Sequence, residues 1–258
     1  NIRYYPVNLD ARAKVQGGAT GPIHSVAGSY VQDWLLFDTD YNWRVLDSEG
    51  GSLRAVADIG THWLDLVQFI TGQKVVKVLA DLKTVHPKRK RPLGEVETFA
   101  GPSAKVIPTE EIDIRTEDQG AVMLRFDGGA TGVLWVSQAT AGRKNRLSYE
   151  IAGSQRAMAW DSENPNEVWI GSRSGPNEVL VKDPGLLTDD ARGFAGYPGG
   201  HAEGYPDSFK GSFKAFYAAV RGETSVPYAT FADGHREIAL CEAVEKSNKT
   251  QQWTEVEA

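Results

Sequence analysis

The sequence predicts an α+β domain built on a large, mostly antiparallel, open β-sheet with helices packed on one face. Strand-like segments dominate from Val75 to Lys182, and their connections are too short for crossover helices, which favours antiparallel neighbours. Helical patterns lie before and after that stretch, so helices and sheet are segregated along the chain. The 258 residues, 41% of them apolar, suffice for one substantial core, and no internal repeat or low-complexity tail divides them.

Pro6 opens a short helix that runs to Gln16, because proline suits a first turn and Gly17-Gly18 ends it. Ile23 to Val31 alternates apolar and polar residues, as a half-buried strand does. The polar, aromatic segment FDTDYNWRVLDSEGG, residues 37 to 51, is a loop long enough to carry function. Ser52 to about Ile70 reads as one strong helix, with Ser52 as N-cap and Gly72 just past its end. Strands are predicted at Val75 to Val85, Gln119 to Phe126, Ala130 to Thr140, Arg146 to Ala152, Arg156 to Trp160, Glu167 to Ile170 and Glu178 to Lys182. Asp127-Gly128-Gly129 joins two of them tightly. The basic HPKRKRP, residues 86 to 92, reads as a solvated loop beside Pro87 and Pro92, the alternative being a polyanion-binding or nuclear-targeting patch. After a Gly/Pro-rich stretch, helices from about Asp207 to Val220 and from Phe231 to Asn248 close the chain.

A net charge of -6 argues against a phosphate-dominated partner, so no nucleic acid is expected. No apolar run approaches the roughly 20 residues that span a bilayer, so no membrane is expected and the protein is predicted to be soluble and cytoplasmic. The single cysteine, Cys241, cannot form an internal disulfide and is expected to be a small core filler.

Chemistry concentrates in LRAVADIGTHWLDLVQFITG. Arg54, Asp58, His62 and Asp65 fall at i, i+4, i+8 and i+11, a polar stripe on a helix whose other faces are apolar. Buried polar groups must be satisfied or used. Asp58, one turn before His62, can orient the imidazole and raise its basicity, as a general base near neutral pH requires. Gly60 between them leaves room for another backbone or a ligand. The pair could equally be a structural hydrogen bond, or join Asp65 or His201 around zinc, although no second nearby histidine or cysteine cluster completes a metal set.

The segment GGSLRAVADIGTHWLDLVQFITG resembles the GG-x-L-x-D-x-G-x-H-x-x-D-L signature of the glucose-fructose oxidoreductase/inositol dehydrogenase/MocA family. Other segments agree in the same order: N-x-R-Y-x-P at 1 to 6, SYVQDWL at 29 to 35, NWR at 42 to 44, FDGGATG at 126 to 132, GRKN at 142 to 145, GHAEGYPDSF at 200 to 209 and YATFADGHREIALCEAVEKS at 228 to 247. The resemblance implies the substrate-binding domain of an NAD- or NADP-dependent dehydrogenase that oxidises a secondary alcohol of a sugar, polyol or glycoside to a ketone. His62 would be the acid/base group and Asp58 its partner or a substrate-hydroxyl ligand, with Asp65 structural or catalytic. Trp43, Arg44, Trp34, Gln138 and His201 would be substrate contacts. An indole such as that of Trp43 suits the apolar face of a sugar ring.

Family members also carry a Rossmann domain, with a G-x-G-x-x-G/A turn and a catalytic lysine in an E-K-P segment, and neither motif occurs here. Residues 1 to 258 are therefore expected to form one substrate-binding and oligomerisation domain, inactive alone, from a parent enzyme that forms homodimers or homotetramers through the sheet face. The alternatives are a non-catalytic sugar-binding or assembly module of the same fold, and a metal-dependent hydrolase.

Overall fold

The computed structural model describes residues 1–94, 108–223 and 227–257. The chain runs from a 3-10 turn, Ile2–Tyr4, into α1, Pro6–Gln16, and then β1, Ile23–Val31. After the loop come a 3-10 turn at Trp43–Val45, the short α2 at Asp47–Gly50, a π-turn at Val56–Gly60 and α3, Thr61–Thr71. Next are β2 (Val75–Lys83), β3 (Lys88–Pro92), β4 (Thr109–Asp113), β5 (Gln119–Phe126), β6 (Thr131–Ser137), β7 (Arg146–Gly153), β8 (Arg156–Asp161), β9 (Glu167–Ser172) and β10 (Glu178–Val181). The chain ends with α4 (Asp189–Arg192), α5 (Tyr205–Val220), α6 (Phe231–Thr250) and β11 (Thr254–Glu255). No described helix is long and apolar enough to cross a membrane.

Nine strands form the main sheet in the order β10-β9-β8-β7-β1-β6-β5-β2-β11. Every pair in it is antiparallel except β1 with β6, which run parallel in register from Ser25–Thr131 to Val31–Ser137. Parallel neighbours need a long crossover, and here the π-turn, α3, β2 and β5 supply it. Alternation along the strands sends Val26, Leu124, Leu134, Val136, Ile151 and Met158 to the helical side, each at most 1% exposed. They meet Trp63, Leu64, Leu66, Val67 and Ile70 of α3, with α1 and α6 completing one continuous core. Truncating such a leucine or isoleucine to alanine costs about 2–5 kcal/mol.

Trp63 fixes α3 against the sheet, because its indole donates to the Ser148 carbonyl at 2.9 Å. Gly28 makes room for it: a Cβ there would lie 2.5 Å from that nitrogen and 2.1 Å from the Ser148 oxygen. Gly60 has only side-chain neighbours at ordinary contact distance, chiefly Val56 and Leu134, so it packs the π-turn on β6. Cys241 is half-buried against the core, and burial pushes its thiol up to about 12.

Two sequence expectations are corrected. The basic stretch is no solvated loop: Lys88–Pro92 is a strand paired with β4, and its Arg89 is 1% exposed. Alternation turns Lys88 and Lys90 to water and Arg89 inward. The predicted single helix does not start at Ser52, and Ser52 does not cap it. Instead the Glu117 carboxylate, distant in sequence, accepts from the backbone N–H groups of Arg54 and Val56 at 2.9 Å each. At the other end Gly72 adopts a left-handed conformation, φ 70°, as the sequence indicated.

No described helix packs on the far face of the sheet. Met123, Val133, Trp135, Trp169 and Val179 emerge there, between 37% and 56% exposed.

Candidate active site

The π-turn is the local device that builds the site. Thr61 N–H bonds to Val56 O, five residues back, so one more residue is wound into this turn than an α-helix holds. The polar stripe read from regular α-periodicity therefore fans out. Arg54 precedes the turn and is buried, Asp58 lies within it, His62 follows on the rim, and Asp65 turns to another neighbour.

Asp65 is held by Arg3, whose Nε donates at 2.7 Å and whose Nη2 reaches both Asp65 and Asp233. It anchors the N-terminal segment. Asp58 does not hydrogen-bond His62 among the described contacts; its Oδ2 accepts from Gln138 Nε2 at 2.7 Å and its Oδ1 is 3.4 Å from Arg44 Nε. Gln138 is fully buried, and its Oε1 accepts from Arg54 Nη1 at 3.0 Å, so both ends of the amide have protein partners. The Arg44 guanidinium stacks 4.7 Å over the Trp43 ring, which is 47% exposed.

His62 stands at the rim with its ring 6.1 Å from that of Tyr30. Crowding by protein atoms lowers its pKa below the ordinary histidine value, and Asp65 and Asp58 oppose the effect. The expected gain in basicity from Asp58 is thus outweighed. The lowered pKa favours the neutral imidazole, which is the form that accepts a proton.

A polar wall that the sequence did not single out stands beside His62. Tyr30 OH and Gln32 Nε2 both donate to Asn145 Oδ1, at 2.8 and 2.7 Å, and Trp34 Nε1 donates to Gln32 Oε1 at 2.8 Å. Burial pushes the Tyr30 hydroxyl up to about 12, so it remains a donor. Trp34 joins this wall through Gln32. His201 does not join it through any described contact: its Nδ1 meets only the Gly199 carbonyl of its own loop, at 3.3 Å. Among the described residues no group of three or more His, Cys, Asp or Glu is arranged to hold a metal ion.

Beside the π-turn, a hollow of about 390 Å³ opens between Gly51, Ala57 and Thr61 on one side and Ile238 and Cys241 on the other. A recess of about 450 Å³ lies across the open sheet face and includes none of the site residues above.

The fold and these contacts define an α+β domain that places an exposed histidine one turn after a carboxylate held by Gln138 and Arg44. The chain belongs to the GFO/IDH/MocA C-terminal domain family, whose sequence model matches residues 8–159, more than half of its length. It is 27% identical, over 99% of its length, to levoglucosan dehydrogenase of Pseudarthrobacter phenanthrenivorans, of which it covers 65%. Among solved structures it resembles an oxidoreductase domain protein from Kribbella flavida (TM-score 0.83, 29% identity, 99% of this chain and 65% of that one). It likewise resembles levoglucosan dehydrogenase in complex with NADH and L-sorbose (TM-score 0.82, 26% identity, 100% of this chain and 64% of that one). The chain thus spans just under two thirds of the length of these relatives.

Proposed function

We propose that this chain is the substrate-binding, acid–base part of an NAD(P)-dependent dehydrogenase that oxidises a secondary alcohol of a sugar, polyol or glycoside to a ketone. The observation that carries the reading is an exposed His62 one turn after an Asp58 that is already held by Gln138 and Arg44. Levoglucosan dehydrogenase, solved with NADH and L-sorbose, supports the cofactor and substrate class.

The sequence has no G-x-G-x-x-G/A turn, so the pyrophosphate is to be held by residues outside this chain. When bound, the nicotinamide accepts a hydride. His62 takes the hydroxyl proton of the reacting carbon, and Asp58 opposite Arg44 accepts a neighbouring hydroxyl. Trp43 and Trp34 offer apolar faces to the C–H side of the sugar, and the Tyr30–Gln32–Asn145 wall offers hydroxyl partners. Met123, Val133 and Trp135 on the open sheet face form the surface through which the protein self-associates.

The test is NAD(P) reduction by the full-length parent against polyols, hexoses and glycosides, with His62→Ala alongside. Turnover that His62→Ala abolishes in a folded protein supports the reading. A parent inactive across the panel, or a variant as fast as wild type, replaces it with a non-catalytic sugar-binding or assembly module.

A further inference from the structure

Arg89 stands in a basic sequence, yet its side chain has no exposed surface. Its Nη1 donates to the carbonyls of Phe37 and Asp40, at 2.7 and 3.0 Å, and its Nη2 to the Leu35 carbonyl at 2.9 Å. One guanidinium thus gathers three carbonyls of the segment that leads from Trp34 to Trp43 and Arg44. The same Nη2 donates to Asp118 Oδ1 at 2.7 Å. That oxygen also accepts from Arg54, and Asp118 Oδ2 accepts from the Val85 and His86 backbone at 2.6 and 3.0 Å. Burial alone would raise the Asp118 carboxyl, but the two guanidiniums and these N–H donors hold it below its ordinary value. Arg54 then fixes Gln138, and Gln138 fixes Asp58.

The orientation of each member follows from its neighbour. An arginine has only donors, so Arg54 selects the Gln138 oxygen and leaves the Gln138 NH2 to face Asp58, where it needs an acceptor. Asp58 in turn faces Arg44, at the far end of the segment that Arg89 holds. The contacts therefore close a ring: Arg89, Asp118, Arg54, Gln138, Asp58, Arg44, and back through the loop backbone. Partly satisfied buried networks are costly, so the members of such a ring keep or lose their geometry together.

We propose that Arg89 is a positioning residue for Asp58, acting through Asp118, Arg54 and Gln138, so that the substrate loop and the carboxylate form one mechanical unit. The proposal rests on the reading that Asp58 and Arg44 face the substrate, but the coupling itself can be read without turnover. In the 258-residue chain, Arg89→Lys keeps the charge and loses the planar fork. It is expected to shift the Asp58 carboxyl carbon resonance at fixed pH, and that shift is expected to shrink in a Gln138→Met background, where the arm of the ring through Arg54 is cut. In the full-length parent the same Arg89→Lys change is expected to raise KM for the sugar about tenfold with a smaller change in kcat. If Arg89→Lys does not fold, Gln138→Met decides alone: it should speed hydrogen exchange of the Lys90 amide, which bonds the Asp38 carbonyl at 2.9 Å in the held loop. An unmoved Asp58 resonance, a shift undiminished in the Gln138→Met background, or unchanged Lys90 exchange would overturn the proposal and leave Arg89 a support of the loop only. A parent that oxidises no sugar while the resonance and exchange effects hold would overturn the dehydrogenase reading and leave the coupling standing.

Discussion

Gln138 donates to Asp58 across 2.7 Å from a position with no solvent access, although 80 residues separate the two in sequence. The carboxylate is held as an acceptor by a neutral amide whose own orientation is set by an arginine. Replacing Gln138 with leucine strands Arg54 Nη1 and one Asp58 oxygen together. Leaving buried polar groups unpaired costs about 1–3 kcal/mol. Urea denaturation should show a lower midpoint at unchanged slope, while Gln138→Glu should recover stability through a charge pair with Arg54 and still impair the site by repelling Asp58.

His62→Ala is expected to leave the fold intact, because the ring lies on the rim and makes no described hydrogen bond. In the full-length parent it should reduce kcat/KM by about 10²–10⁴, the range for a positioned general base. Only the neutral ring accepts a proton, and its pKa is lowered, chiefly by the crowding of protein atoms around a ring that is still exposed at the rim. The acid limb of the pH–kcat/KM profile should therefore lie below pH 6.5, with activity lost as pH falls through it. Stability follows the same sign: the unfolded chain binds the proton first, so stability declines as pH falls below about 6.5. His62→Ala should flatten that part of a pH–Tm curve.

Glu237 of α6 is pushed up to about 9, first by burial and then by the charge of Asp65, with Arg3 and Arg236 offsetting part of the effect. A carboxyl raised in the folded state favours folding below its unfolded pKa, and that contribution is lost as pH rises through the folded value. Glu237→Gln should therefore gain stability over wild type progressively from about pH 4.5 to pH 9 and level off above. Thermal melts across that range check it; a difference that does not vary with pH would refute the assignment.

Trp135 and Met123 project from the far face of the sheet, 40% and 47% exposed. Trp135→Glu combined with Met123→Glu should convert an oligomer into a monomer in sedimentation velocity, with the far-UV circular dichroism unchanged. A wild-type protein that is monomeric at all concentrations would remove the self-association surface.

The sequence made the strands and long helices legible because their signals are local. β1, β5 and α1 have their predicted ends, and Gly72 and Gly129 have the positive φ angles expected of a helix stop and a tight turn. Asp58 and His62 were visible through their spacing and through the family signature. Their surroundings were not visible. Glu117, which caps the π-turn, and Asp118, which joins two arginines, follow the helix by some 60 residues, and no periodicity connects them to it. Arg89 was hidden because a basic run reads as solvated, whereas strand alternation buries one member in three consecutive positions. Asn145, which gathers Tyr30 and Gln32, is over 110 residues from either. The π-turn itself leaves no mark in composition, and regular helical spacing therefore put Arg54, Asp58, His62 and Asp65 on a common stripe that the folded chain separates.

That turn makes the phase of α3 depend on a single extra residue. Deleting Ala57 would let the chain close an ordinary α-turn and would rotate all that precedes it by about 100° relative to α3. The helix and sheet core would survive such a deletion far better than the angle between Arg54 and the two residues after the deletion, Asp58 and His62. A one-residue length change is thus a route by which this fold can retain its architecture and exchange one chemistry for another.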